Sequence, residues 1–167
     1  MDVEQLRAAQ RPLKERYRHD PGAARTPLHA AASFADDDIT ATVDTWAGPV
    51  RAGLHRSTGG DGSDACSGDM LLEALLACAG VTLRSVATAM RLELSDVSLS
   101  ADGAFDARGT LGLDTDVPVG VVDVVVAAEV GTEASEEQLA KLAELTERYC
   151  VVGRSLAVPP RIVVRRR

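Results

Sequence analysis

Three features of the chain predict an α+β fold: short extended segments between Thr26 and Arg56, one long apolar helical run after Ser67, and a β-branched block ahead of a well-capped second helix. The chain reads as three stretches of strand around two helices. With 167 residues, of which 46% are hydrophobic, the chain is long enough for one proper core and too short for two. Residues 1–25 are polar and charged, with Pro12 interrupting a short helical pattern and Asp20-Pro21-Gly22 making a turn, so they read as an arm. Residues 26–167 then form the domain.

The first strands are expected over Leu28 to Phe34, Ile39 to Trp46 and Val50 to Arg56, separated by turns at Asp36-Asp37-Asp38 and Gly48-Pro49. Ser57-Thr58-Gly59-Gly60-Asp61-Gly62-Ser63-Asp64 lacks the Gly-Lys-Ser/Thr ending of a phosphate-binding loop and reads as a connector. Ser67 or Asp69 can cap a helix running to about Met90, and Asp69 suits the positive end of its dipole. The first half of that helix is apolar on almost every face, which suits a helix buried all round, in a core or between two subunits. A second strand block runs from Leu94 to Val130, broken at Asp102-Gly103 and Val117-Pro118, and contains Val121-Val122-Asp123-Val124-Val125-Val126. Ser135-Glu136-Glu137-Gln138 is a capping box. It opens a helix whose covered face is Leu139, Leu142, Leu145, Thr146 and Tyr149 and which ends near Cys150, and Arg161 to Val164 forms a last strand.

Composition excludes several partners. Aromatic residues make up only 3%, too few for a base-stacking platform, and the net charge of −7 is wrong for phosphate binding, so no nucleic acid is expected. The basic cluster Arg161 to Arg167 reads as a solvated strand end. The first residues lack the charged and apolar regions of a secretory signal, and no apolar run is expected to reach the ~18 residues of a membrane span. A cytoplasmic protein with no membrane association is the expectation. Three cysteines, Cys66, Cys78 and Cys150, are too few and odd in number for a disulfide-stapled domain. With His19, His29 and His55 they show no ligand spacing, so no metal is expected.

Chemistry therefore rests on the thiols. Cys78, in an apolar helix and followed much later by Cys150 at the end of a second helix, suggests redox chemistry, although a free cysteine is also an ordinary core residue. Burial raises a thiol's pKa, so a thiolate at neutral pH needs a nearby cation. Arg84 is on a different helical face from Cys78, so the cation must come from elsewhere in the fold. Histidines without a paired nucleophile, and Ser155 and Thr82 without a Ser-His-Asp arrangement, give hydrolase chemistry no support.

The stretch Ser67-Gly68-Asp69-Met70-Leu71-Leu72-Glu73-Ala74-Leu75-Leu76-Ala77-Cys78-Ala79-Gly80-Val81-Thr82-Leu83 resembles the central helix of the OsmC/Ohr superfamily. Glu147-Arg148-Tyr149-Cys150-Val151-Val152-Gly153-Arg154-Ser155-Leu156 resembles its second cysteine segment, with Val151 where many members have proline. The resemblance spans about residues 26–167. It implies an α+β fold of antiparallel sheets packed around a long central helix, an intertwined homodimer, and a peroxidase acting on organic hydroperoxides or hydrogen peroxide, with an external dithiol as reductant and no cofactor.

Carried over by position, Cys78 takes the place of the peroxidatic thiol and Cys150 that of the resolving one. The family's acid falls at Asp69, with Glu73 as its rival. The family's arginine precedes the central helix, which makes Arg56 the first choice, with Arg51 and Arg25 as alternatives. Asp69 lies nine residues before Cys78, about 13.5 Å along an ideal helix and on the opposite face, so the two meet only through a partner helix or a long arginine. Cys66 reads as a spare thiol near the helix start. The competing reading is a non-catalytic dimer that binds an apolar small molecule at the subunit interface.

Overall fold

The structure, a computed structural model, describes residues 1–167. The first element is α1 (Val3–His19), opened by a capping box in which Asp2 and Gln5 satisfy one another's backbone N–H groups. Pro12 lies inside this helix and does not interrupt it, contrary to the sequence reading. Proline removes one ladder bond, and the capped helix simply runs through that loss. No residue of α1 is buried.

A 3₁₀ turn (Pro21–Ala24) leads to β1 (Ala31–Ser33), β2 (Thr40–Thr45), β3 (Gly48–Gly53) and, after a 3₁₀ turn at Arg56–Thr58, β4 (Ala65–Cys66). These form one sheet in the order β1-β2-β3-β4. The first three strands are antiparallel, as expected, and β4 pairs parallel to β3 because the connector of residues 54–64 carries the chain back to the other end of the sheet. Gly48 and Pro49 belong to β3, and the turn falls instead at Trp46 and Ala47. Proline is tolerated there because β4 pairs only with Ala52 and Gly53, leaving that side of β3 open beside Pro49.

β4 passes straight into α2 (Ser67–Ala89). Neither Ser67 nor Asp69 caps it: both lie inside the helix, and Cys66 holds the N-cap position without a side-chain bond. The second sheet has the order β5-β6-β7, from β5 (Ser95–Ala104), β6 (Val122–Gly131) and β7 (Arg161–Arg166). β5 runs through Asp102 and Gly103 with a register shift rather than ending there. A four-residue helix, α3 (Ala107–Thr110), lies in the long connection to β6. β7 is parallel to β6, since α4 (Glu136–Tyr149) and α5 (Val151–Ser155) return the chain across the sheet between them. Both sheets are thus mixed rather than wholly antiparallel.

The core lies between α2, α4 and the second sheet. Leu75, Ala79, Leu83 and Ala87 recur every four residues on α2 and meet Val124, Val126, Ala128 and Val130 of β6, with Ile162 and Val164 of β7. α4 contributes Leu139 and Leu142 to the core, and its Thr146 is buried with the hydroxyl bonded to the Leu142 carbonyl. The predicted stripe on α4 ends differently: Tyr149 is exposed and Cys150, where the helix ends, takes the buried place. α2 has the length and hydropathy of a membrane span, with a mean of 1.6 in its best window, yet in this fold it carries the core stripe.

This single chain buries only 17 of its 167 residues, so large apolar surfaces stay uncovered. α2 is not buried all round: Ala74, Ala77 and Val81 form an exposed strip. No residue of the first sheet is buried, and Phe34, Ile39 and Trp46 stand in the open. Truncating Leu142, which is fully buried, to alanine is expected to cost about 2–5 kcal/mol of stability in urea unfolding. A loss under about 1 kcal/mol would show that this interface is not the core.

Candidate functional site

Packing of α2 against α4 and α5 brings Cys78 and Cys150 together. Cys78 is half-buried on α2, and Cys150 is fully buried at the junction of α4 and α5. Both are free thiols. Cys150 ends one helix and starts the next: its N–H bonds back to the Thr146 carbonyl, and its sulfur accepts the Gly153 N–H at 3.4 Å. Gly153 is buried, and a Cβ there would lie 3.1 Å from Pro160 and 3.3 Å from the Cys150 sulfur, so a side chain would crowd the thiol.

The two thiols are driven in opposite directions. Burial is the largest influence on Cys78 and opposes its thiolate. The N–H of Val152, the Cys150 thiol, the N–H of Val151 and the Thr82 hydroxyl together outweigh it, and Cys78 is held below the ordinary thiol value. For Cys150, burial again leads and raises the pKa; the Gly153 N–H opposes the rise and the neighbouring Cys78 adds to it. Cys78 is thereby the thiol that ionises first, and Cys150 stays protonated as its donor.

Sequence reasoning sought a cation for Cys78 and overlooked neutral donors. Thr82 is one turn beyond Cys78 on the same helix, and that i,i+4 spacing was the available signal. The Val151 and Val152 amides carried no such signal, since their placement depends on how α4 gives way to α5.

The charged candidates lie elsewhere. Arg56, in the 3₁₀ turn after β3, forms no ion pair and lines a groove of about 300 Å³ with Asp64, Cys66, Asp69 and Glu73. Its guanidinium rests against Gly62, whose φ of +79° and lack of a Cβ permit that approach. Asp69 and Glu73 are both exposed at this N-terminal end of α2. Cys78 does not line this groove, and Arg56, Asp69 and Glu73 are not among the groups that act on its thiol within the chain. Arg51 is committed to Asp36 and Asp38, each at 3.1 Å, and to Asp64 at 2.5 Å. Arg25 is exposed after the first 3₁₀ turn, and Arg84 bonds the Leu94 carbonyl at 3.3 Å.

Cys66 borders the charged groove and an adjoining apolar pocket of about 360 Å³ containing Leu72, Phe105 and Val121. His55 stacks edge-on against Phe105, with ring centroids 5.4 Å apart. His55 otherwise bonds Ser57 locally. No group of three or more His, Cys, Asp or Glu side chains gathers as a metal site would require.

Comparison with known proteins adds an independent finding. A family model described as OsmC-like protein matches residues 60–165. Among solved structures, an OsmC-like protein from Mycoplasma pneumoniae superposes with a TM-score of 0.65 at 16% identity, covering 85% of this chain and 96% of that one. An organic hydroperoxide resistance protein from Elizabethkingia anophelis gives 0.67 at 13% identity, covering 86% and 99%. An OsmC-like protein of unknown function from Vibrio cholerae gives 0.66 at 14%, covering 86% and 100%. At these identities the structures show a shared fold. No curated protein matches the chain.

The rate of iodoacetamide alkylation, resolved by peptide, is expected to rise with pH at Cys78 before it rises at Cys150. Thr82→Val should move the Cys78 midpoint upward and Thr82→Ser should leave it near wild type. Equal midpoints for the two cysteines would contradict the division of roles between them.

Proposed function

The chain belongs to the OsmC-like family, and on that premise we propose that it is a thiol-dependent peroxidase in which Cys78 attacks the peroxide and Cys150 resolves the product. The observation that carries this reading is the pairing of the two thiols across α2 and α5, with Cys78 lowered and Cys150 raised in pKa. The hydroperoxide resistance activity in the name of the Elizabethkingia neighbour points the same way.

In the first step the Cys78 thiolate attacks the terminal oxygen of a hydroperoxide. An S–O bond forms, the O–O bond breaks, Cys78 is oxidised to sulfenic acid, and the alkoxide takes a proton and leaves as alcohol. The Cys150 sulfur then displaces the sulfenic oxygen as water, and a Cys78–Cys150 disulfide forms. An external dithiol reduces that disulfide by exchange and restores both thiols. Gly153 gives its N–H to Cys150, which would steady that sulfur as its proton is lost.

The working unit in this reading is a homodimer. The exposed strip of Ala74, Ala77 and Val81 on α2, the uncovered first sheet with Trp46 and Phe34, and the small buried fraction of the single chain all support it. Arg56 and Asp69 would act on Cys78 across that interface, since they do not reach it within their own chain. Arg56 would neutralise the thiolate and the leaving alkoxide, and Asp69 would orient the arginine, with Glu73 beside it. The apolar pocket of Leu72, Phe105 and Val121 next to that groove suits the carbon chain of an organic hydroperoxide. The same pocket is what favours the second reading, a dimer that retains an apolar molecule without turning it over.

Kinetics with an organic hydroperoxide and a dithiol separate the readings. Cys78→Ser should abolish peroxide consumption, Cys150→Ser should allow about one turnover per thiol and then stop, and Arg56→Ala should slow the peroxide step by roughly 10-fold or more. Wild-type protein that consumes no peroxide while retaining an apolar ligand would favour the binding reading and sink the peroxidase.

A further inference from the structure

Helix α1 carries a seam that its own chain covers only in part. Val3, Leu6, Gln10, Leu13 and Tyr17 recur at alternating spacings of three and four, the pattern of a helix that packs along another helix. None of them is buried, and Leu13 is 46% exposed. Within the chain, α1 meets the 3₁₀ turn that follows it and the C-terminal end of α2, where Val3 lies beside Ala87 and Thr88 and Glu4 pairs with Arg91 at 3.4 Å. Leu13 is exposed and Val3, Leu6, Gln10 and Tyr17 are half-buried, so the seam is only partly covered by its own chain.

Charge says what would cover it. On a helical projection Lys14, Arg7, Arg18 and Arg11 line one edge of the seam, and all four are exposed. α1 holds five basic and two acidic side chains, a net of +3, which leaves −10 on the rest of the chain against the total of −7. We propose that α1 docks in trans, laying its seam and basic edge on the acidic N-terminal end of α2 of a second copy of this chain. The inference rests on the reading that the exposed α2 strip pairs two protomers. A two-fold axis across that strip sets the helices antiparallel, so the C-terminal end of one α2 lies beside the N-terminal end of the other. α1 starts at the C-terminal end of its own α2. It therefore arrives where the second copy presents the exposed carboxylates of Asp61, Asp69 and Glu73, which outnumber the one unpaired cation there, Arg56.

Apolar burial along the seam gives the contact its strength, while the screened charge pairs set its register and speed its formation. The arm thereby borders the groove of Arg56 and Asp69 and adds a wall to the proposed peroxide site, supplied by the other subunit.

A crosslink tests this in the full-length protein. Lys14→Cys places a thiol on the basic edge, and the native Cys66, half-exposed at the start of α2, is the acceptor for a short bismaleimide. The expected result is a covalent dimer on a denaturing gel from Lys14→Cys, absent from wild type and from the Lys14→Cys, Cys66→Ser double variant. Leu13→Glu should weaken the dimer at least tenfold in dilution experiments, with wild-type affinity falling as salt rises. A Lys14→Cys protein that light scattering shows to be dimeric but that yields no intermolecular product joined through Cys66 would overturn the arm while leaving the dimer standing. A monomeric protein would overturn both. Binding of wild type, but not Leu13→Glu, to phosphatidylglycerol vesicles without any crosslink would assign the seam to a lipid surface and reject the second copy.

Discussion

Everything proposed for this protein depends on how the buried stripe of α2 packs against α4 and α5. Leu75, Ala79 and Leu83 anchor one face of the helix, and this fixes Cys78, adjacent to Ala79, at the edge of the core instead of its centre. The same packing buries Cys150 where α4 stops and α5 begins. A thiol held at such an edge has protein donors on one side and access on the other. Deeper burial would leave the desolvation of the thiolate unanswered, and full exposure would lose the amides and the Thr82 hydroxyl that answer it.

The proposed division of roles needs no charged side chain of the same protomer beside either sulfur. The Val152 and Val151 N–H groups, the Cys150 thiol and the Thr82 hydroxyl near Cys78 favour its thiolate, whereas Cys150, also buried and next to a group that ionises first, keeps its proton. Preorganised dipoles of this kind act through fixed geometry, so they are sensitive to small displacements of α5. Gly153 belongs to the same logic: its lack of a side chain lets Pro160 and Cys150 approach the start of α5 together. The cationic half of the proposed site, Arg56 held against Gly62, lies at the N-terminal end of α2, Cys78 lies at its middle, and the exposed strip of Ala74, Ala77 and Val81 that runs past Cys78 is the surface on which two chains would meet.

Much of the fold was legible because strong local signals agree with tertiary need. The Ser135–Gln138 capping box, the extent of α2 and the β-branched run of β6 all appear where composition and periodicity put them. Sequence reasoning failed where the outcome depends on partners distant in the chain. Strand direction at β4 and β7 follows from where the connections return, and a residue pattern carries no sign of it. Tyr149 was placed inward by helical spacing, but the helix ends there and Cys150 takes the buried position. Pro12 was given more power to break a helix than it has in an exposed, capped one. The thiol pair was visible as two residues in a family-like order; the Val151 and Val152 amides were not, because backbone donors leave no mark in a sequence.

Peptide mass spectrometry after one equivalent of an organic hydroperoxide, with rapid alkylation of the remaining thiols, tests the central claim most directly. The account predicts a peptide linked through Cys78 and Cys150 and an alkylated Cys66. Recovery of Cys78 and Cys150 both alkylated, or a disulfide formed through Cys66 in their place, would contradict it.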